Sequence, residues 1–290
     1  MQYKDTELTI NNYNELLSNK ESDIKEVVKH AILDNTDIGK YIDTVDSDSY
    51  KLLQIKISVQ ENIHERYIFI NGDGESIKLM RKAVQSGLDL SPINAYISPI
   101  GGLTVSSKVI KYILSAYLSN ADIGSIDFTG IKNEDAVYEI CRGLELGYPM
   151  SLFTDLESKS IALVIRGMQL NYDMTIFASG FWSEEQILLI LSANVDYAEL
   201  IKYLTSDFTI AQIEYIIDAI NSNLDIEDIT TLYKGKPPYS AYQMEEMILA
   251  KKQGVFSDDF LVKSMSPNSM AHLRMSLLYE KANSKEVKQD

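Results

Sequence analysis

The sequence predicts an all-α protein, an α-solenoid of about ten two-helix repeats. Three recurring observations carry this: a small residue, a helix-ending residue four positions after it, and an apolar helical stripe before it. The small residues are Ala31, Ser58, Ala83, Ala116, Gly143, Gly167, Ala193, Ala219, Ala250 and Ser276. Successive spacings run from 24 to 33 residues, a period that marks stacked supersecondary units. Each unit of such an array packs on its neighbours, so the 290 residues read as one domain. That domain comprises an N-terminal cap over 1–20, repeats over 21–282 and a polar tail over 283–290.

Each element of the unit has a cause in the sequence. Ser183, Thr209 and Ser240 stand three residues ahead of Gln186, Gln212 and Gln243. This is capping-box spacing: the hydroxyl accepts from a first-turn N–H while the amide side chain reaches back to the cap. Asp48, Asp73, Ser106, Asn133, Glu157 and Ser266 fill the same slot elsewhere. Counted from the cap, the fourth and seventh positions are apolar, as in Ile187 and Ile190, Ile213 and Ile216, Met244 and Met247, or Leu52 and Ile55. That spacing lays them along one helical stripe. The small residue falls on or beside the stripe, where a missing side chain lets a neighbour approach. Four positions later, Asn35, Asn62, Gly87, Asn120, Gly147, Asn171, Asn223 and Gly254 tolerate left-handed backbone and end the helix. Each main helix is then about 13 residues from cap to terminator. Asp89 with Leu90 and Ile93, Asp196 with Tyr197 and Leu200, and Asp225 with Ile226 and Ile229 predict a cap and a short second helix.

Two places depart from the pattern. After Ala193 the chain reaches Val195 and Asp196 without the usual extra residues, which predicts a shortened main helix there. Leu53, Ile55, Ile57 and Val59 alternate with period two, and Tyr67 to Ile70 is β-prone, so strand structure near 52–70 is an alternative.

Two fragments, Gln243-Met244-Glu245-Glu246-Met247 and Arg142-Gly143-Leu144-Glu145-Leu146-Gly147, resemble a repeat of uncharacterised bacterial proteins, many associated with mobile elements. In that repeat Gln-Met and an Ile precede Gly-Leu and Gly-Leu-Asp-Val. The resemblance extends over most of the chain from about residue 130 and over fragments before it. It implies a helical-repeat fold in a bacterial or phage-like setting and transfers no catalytic residue.

Charge narrows the partners. With 27 basic and 42 acidic side chains the formal net charge is −15, which disfavours direct nucleic-acid binding and favours a protein with a basic surface. From Asp173 to Tyr233, eleven acids face one base, Lys202. The partner-binding candidates are Glu184, Glu185, Asp196, Glu199, Asp207, Glu227 and Asp228, with Tyr233 and Tyr239 from the longer connector Tyr233–Tyr239. Tyrosine is abundant, eighteen against one tryptophan, and supplies large contact area at low entropic cost. The other long connector is Ser98-Pro99-Ile100-Gly101-Gly102-Leu103, and insertions in repeat arrays map to loops, often on the binding face. No run approaches the roughly 18 apolar residues of a membrane span, and the polar N-terminus is unlike a signal peptide. A soluble cytoplasmic protein is expected.

No catalytic, cofactor-binding or metal-ligating set is predicted. His30, His64 and His272 are far apart in sequence and have no Cys or second His at ligand spacing. Gly72-Asp73-Gly74-Glu75-Ser76 lacks the Lys and Ser/Thr of a phosphate loop and reads as a turn ending in the Asp73 cap. Cys141, the single cysteine, lies on the apolar side of Val137, Ile140 and Leu144 and reads as core. The expectation is a non-enzymatic interaction scaffold with an acidic binding surface. Its sharper form is a mobile-element or phage inhibitor of a nucleic-acid-binding host defence protein. The alternative is an enzyme or ligand-binding module with its site in the Gly-rich connectors.

Overall fold

A computed structural model describes residues 17–45, 47–68, 71–98, 102–131, 133–178 and 181–286. The chain divides into two compact units, Met1–Ser158 and Lys159–Asp290. In the first, the main helices are α1 (Ser22–Leu33), α2 (Ser49–Gln60), α3 (Gly74–Gln85), α4 (Ser107–Leu118) and α5 (Glu134–Glu145). The second contains α6 (Ser158–Gln169) apart from its first residue, α7 (Glu184–Ser192), the short α8 (Tyr197–Leu200), α9 (Ile210–Asn221), the short α10 (Glu227–Thr230), α11 (Ala241–Gln253) and α12 (Pro267–Glu286). Within the first unit α1 packs on α2, α2 on α3, α3 on α4 and α4 on α5; within the second α7 packs on α9, α9 on α11 and α11 on α12. This is an all-α helical repeat. Among the described residues there is no strand, and isolated bridges join Ile97 with Leu103 and Tyr233 with Lys236. The period-two stretch from Leu53 to Val59 is helical, in α2, while Phe69 and Ile70 lie outside the described residues.

The sequence punctuation acts as expected. All eight terminators, Asn35, Asn62, Gly87, Asn120, Gly147, Asn171, Asn223 and Gly254, have positive φ. The four-residue offset from the small position has a geometric origin. The N–H one residue past each terminator donates to the carbonyl of the small residue, as in Thr36 to Ala31 at 2.8 Å, Ala121 to Ala116 at 3.1 Å and Leu224 to Ala219 at 3.0 Å. This is the long bond of a Schellman motif. Ala193 makes no such bond: α7 ends in extended backbone at this residue after nine residues. The stripe residues Leu52, Ile55, Ile110, Ile113, Val137, Ile140, Ile213, Ile216, Met244 and Met247 are fully buried.

The second element of each unit is short. It is usually one 3-10 turn, such as Met150–Phe153, Thr175–Ala178 or Asp258–Leu261, and a four-residue α-helix at α8 and α10. Apolar pairs three apart, Ile226 with Ile229 and Met150 with Phe153, are buried in it. A three-residue repeat eclipses such a pair on one side, so one tight turn suffices to bury both. Where the residue seven after the small position is Met, the small residue is Gly. A Cβ on Gly143 would lie 2.3 Å from Met150 Sδ, and one on Gly167 would lie 2.2 Å from Met174 Sδ. With Ile at that place, as at Ile38, Ile123 and Ile226, the helix residue is Ala.

Capping-box glutamines join consecutive repeats of the second unit. Gln212 Oε1 accepts from Thr209 N at 2.7 Å, closing its own helix, while Nε2 donates to the Tyr239 carbonyl at 2.7 Å, next to the following cap Ser240. Gln186 Nε2 likewise reaches Phe208 O at 2.6 Å and Gln243 Nε2 reaches Met265 O at 2.8 Å. Each amide therefore satisfies two chain ends at once.

Candidate interaction surface

The acidic candidates all belong to the second unit, and the fold gives them three different surroundings. Glu184 pairs with Lys159 at 3.4 Å, Asp228 with Lys251 at 3.0 Å and Asp218 with Lys252 at 2.5 Å. Glu199 pairs with Lys202 and also accepts from Tyr203 Oη at 3.1 Å. The Lys202 and Tyr203 hydrogen bonds hold its carboxyl below the usual carboxylate range. A second group caps the short turns: Asp173, Asp196 and Asp225 accept from the backbone N–H two residues on, at 3.0, 3.1 and 3.1 Å. Those bonds fix the side chains without an ion pair at any of the three among the described residues. Glu185, Asp207, Glu214 and Glu227 are exposed. Among the described residues, none of these seven carboxylates has a cation within ion-pair distance. Helices α7 and α9 contain no Lys or Arg at all.

The aromatic candidates separate. Tyr233 is 53% exposed, with Lys263 Nζ over its ring at 3.3 Å and Lys234 Nζ at 5.4 Å. Tyr239 is 5% exposed and its hydroxyl donates to Leu261 O at 3.1 Å. It packs inside the unit, with little of its surface exposed. Between them, Lys234 at φ 52° and Gly235 at φ 77° form the tight turn that the Tyr233–Lys236 bridge closes. In the other connector, Ser98 N donates to Gly102 O at 2.7 Å and Asn71 Oδ1 accepts from Leu103 N at 2.7 Å. Pro99, Ile100 and Gly101 lie outside the described residues.

Sequence inspection did not single out a shallow groove of about 460 Å³ in the second unit, lined by Tyr203, Leu204, Thr205, Glu227, Thr231 and Leu232, with Lys202 and Thr230 completing it. Its residues come from the short-turn layer of two successive repeats, and apart from Glu227 none of them belongs to the cap, stripe or acidic patterns.

Chemistry elsewhere is sparse. His30, His64 and His272 are exposed, and no three His, Cys, Asp or Glu side chains among the described residues gather in a metal-holding arrangement. Asp73 caps α3, accepting from Ser76 N at 2.8 Å, and pairs with Lys111 at 2.8 Å. A Cβ on Gly74 would lie 2.5 Å from the Tyr50 ring, so this glycine serves helix packing. Cys141 is 3% exposed, and burial pushes its thiol up to about 12. No helix is long and apolar enough to cross a membrane among the described residues. No family model, no curated protein and no solved structure matches this chain.

Proposed function

We propose that the chain is a non-enzymatic interaction scaffold whose second unit binds a protein with a basic surface. The observation that supports this is the set of seven exposed carboxylates, Asp173, Glu185, Asp196, Asp207, Glu214, Asp225 and Glu227, held on repeat helices and turns with no cation within ion-pair distance among the described residues. Such a field attracts and orients a cationic partner before contact. The finer reading is an acidic inhibitor that covers the nucleic-acid site of a host defence protein. It draws on the net charge of −15 and on the resemblance to mobile-element repeat proteins.

The test is capture of the partner followed by kinetics with the purified pair. Replacing Glu185, Asp207, Glu214 and Glu227 with the amides Gln and Asn removes four charges without placing cations at helix starts. The association rate is expected to fall and its dependence on salt to flatten, because exposed attraction is screened beyond about 8 Å at physiological ionic strength. Unchanged rate and salt dependence in a folded quadruple variant would refute the acidic-surface reading.

A further inference from the structure

We infer that the groove between the turn after α8 and the segment formed by α10 and the two residues past it is a subsite for an arginine side chain of the partner protein; this rests on the acidic-surface reading and gives it a specific contact. The lining supplies hydrogen-bond acceptors whose own donors are already used. Tyr203 Oη donates to Glu199 at 3.1 Å, Thr230 Oγ1 to Ile226 O at 2.9 Å and Thr231 Oγ1 to Glu227 O at 2.6 Å. Three of the four lining hydroxyls, all but that of Thr205, thus offer lone pairs only. The one lining cation, Lys202, is held by Glu199. The Glu227 carboxylate has no cation within ion-pair distance among the described residues, and the Asp225 carboxylate is held at the same turn by accepting from the Glu227 backbone N–H at 3.1 Å.

A cavity rich in acceptors suits a group that only donates. Guanidinium carries five N–H donors in a plane and no acceptor, pairs with a carboxylate through two parallel bonds and stacks on an aromatic face such as Tyr203. Leu204 and Leu232 provide apolar wall for the aliphatic stem of the same side chain. Lysine would fill the groove with a point charge and forgo both the planar pairing and the stacking.

The experiment titrates the isotope-labelled full chain with N-acetylarginine N-methylamide and follows backbone amide resonances. Saturable shifts are expected at Thr205 and Thr231. The neutral isostere N-acetylcitrulline N-methylamide should shift neither, and Glu227→Gln should weaken binding about tenfold, the factor lost with one charge-assisted hydrogen bond. Equal response to citrulline, or full binding by a folded Glu227→Gln chain, overturns the subsite. Tighter binding of free L-arginine than of the capped residue also overturns it, because the groove would then serve a small molecule. Shifts confined to Glu185 and Glu214 would remove the groove and leave the acidic surface standing, whereas no shifts anywhere would count against both.

Discussion

Replacing Gln212 with Glu should destabilise the second unit, although Glu and Gln serve equally well in an isolated capping box. The bond back to Thr209 N needs only an acceptor and survives the change. The bond outward does not: the Gln212 amide donates to the Tyr239 carbonyl at 2.7 Å, and a carboxylate would oppose oxygen to oxygen at a residue only 5% exposed. Losing the hydrogen bond costs about 1 kcal/mol and leaving buried acceptors unpaired costs about 1–3 more, so about 2–4 kcal/mol in all at neutral pH. Burial and the facing carbonyl raise the new carboxyl's folded pKa above its unfolded value of about 4.3. The folded state then binds more protons in the window between those two values. The deficit relative to wild type is therefore full above the folded pKa and shrinks as pH falls towards the unfolded one, where the protonated carboxyl can itself donate to Tyr239. Urea unfolding followed through Trp182 reads this, since the only tryptophan is buried in the second unit and donates to Ile176 O at 3.0 Å. Exposed Asn194→Asp, in the same unit, controls for the added charge. Stability of Gln212→Glu within about 0.5 kcal/mol of wild type, the range of ordinary surface substitutions, would refute the outward bond as a stabilising contact.

Three further outcomes follow from the packing. Gly143→Ala should lose roughly 1–3 kcal/mol to the Met150 thioether, and adding Met150→Ile should recover most of it, because Ala116 with Ile123 is that combination; calorimetry of the single and double variants checks this. Asn223→Ala should cost about 1–2 kcal/mol, since an alanine is strained at φ 53°, while Asn223→Gly should be near neutral, as thermal melts would show. Cys141, with its thiol held up to about 12 by burial, should react with iodoacetamide at pH 8 only as fast as the unit opens, and modification of the native protein at the rate of a free thiol would contradict its burial.

Most of the repeat was legible because its determinants are local. A Schellman terminator requires left-handed backbone, and Asn and Gly announce it; a cap requires a short side chain with an oxygen, and Ser, Thr and Asp announce that. Asp196 and Asp225 were readable as turn caps for the same reason. What escaped was chemistry between units. Gln rather than Glu in all three boxes, in a chain with 42 acids, was the available signal that the amide N–H groups were needed. Tyr239 looked like a loop residue on a proline-rich connector, yet its ring folds inward to the Leu261 carbonyl, a contact set by the following repeat. Ion pairing likewise depended on three-dimensional neighbours: Glu184 and Glu185 are adjacent in sequence, but Lys159 meets only the first. The groove at Tyr203 and Glu227 joins residues from two repeats and had no sequence pattern to reveal it.

The amide link between repeats also bears on how such a chain can grow. Its receiving atom is a main-chain carbonyl, which every residue possesses, so the polar part of the junction asks nothing of the neighbour's side chains. The matched Gly–Met and Ala–Ile pairs are seven residues apart and travel together whenever a segment is copied. A duplicated unit would thus arrive with its internal fit complete and could dock without compensating changes next door. Lengthening or shortening by whole units is in this sense an inexpensive evolutionary step, while exchanging half a unit between a Gly–Met and an Ala–Ile repeat would break the size match at once.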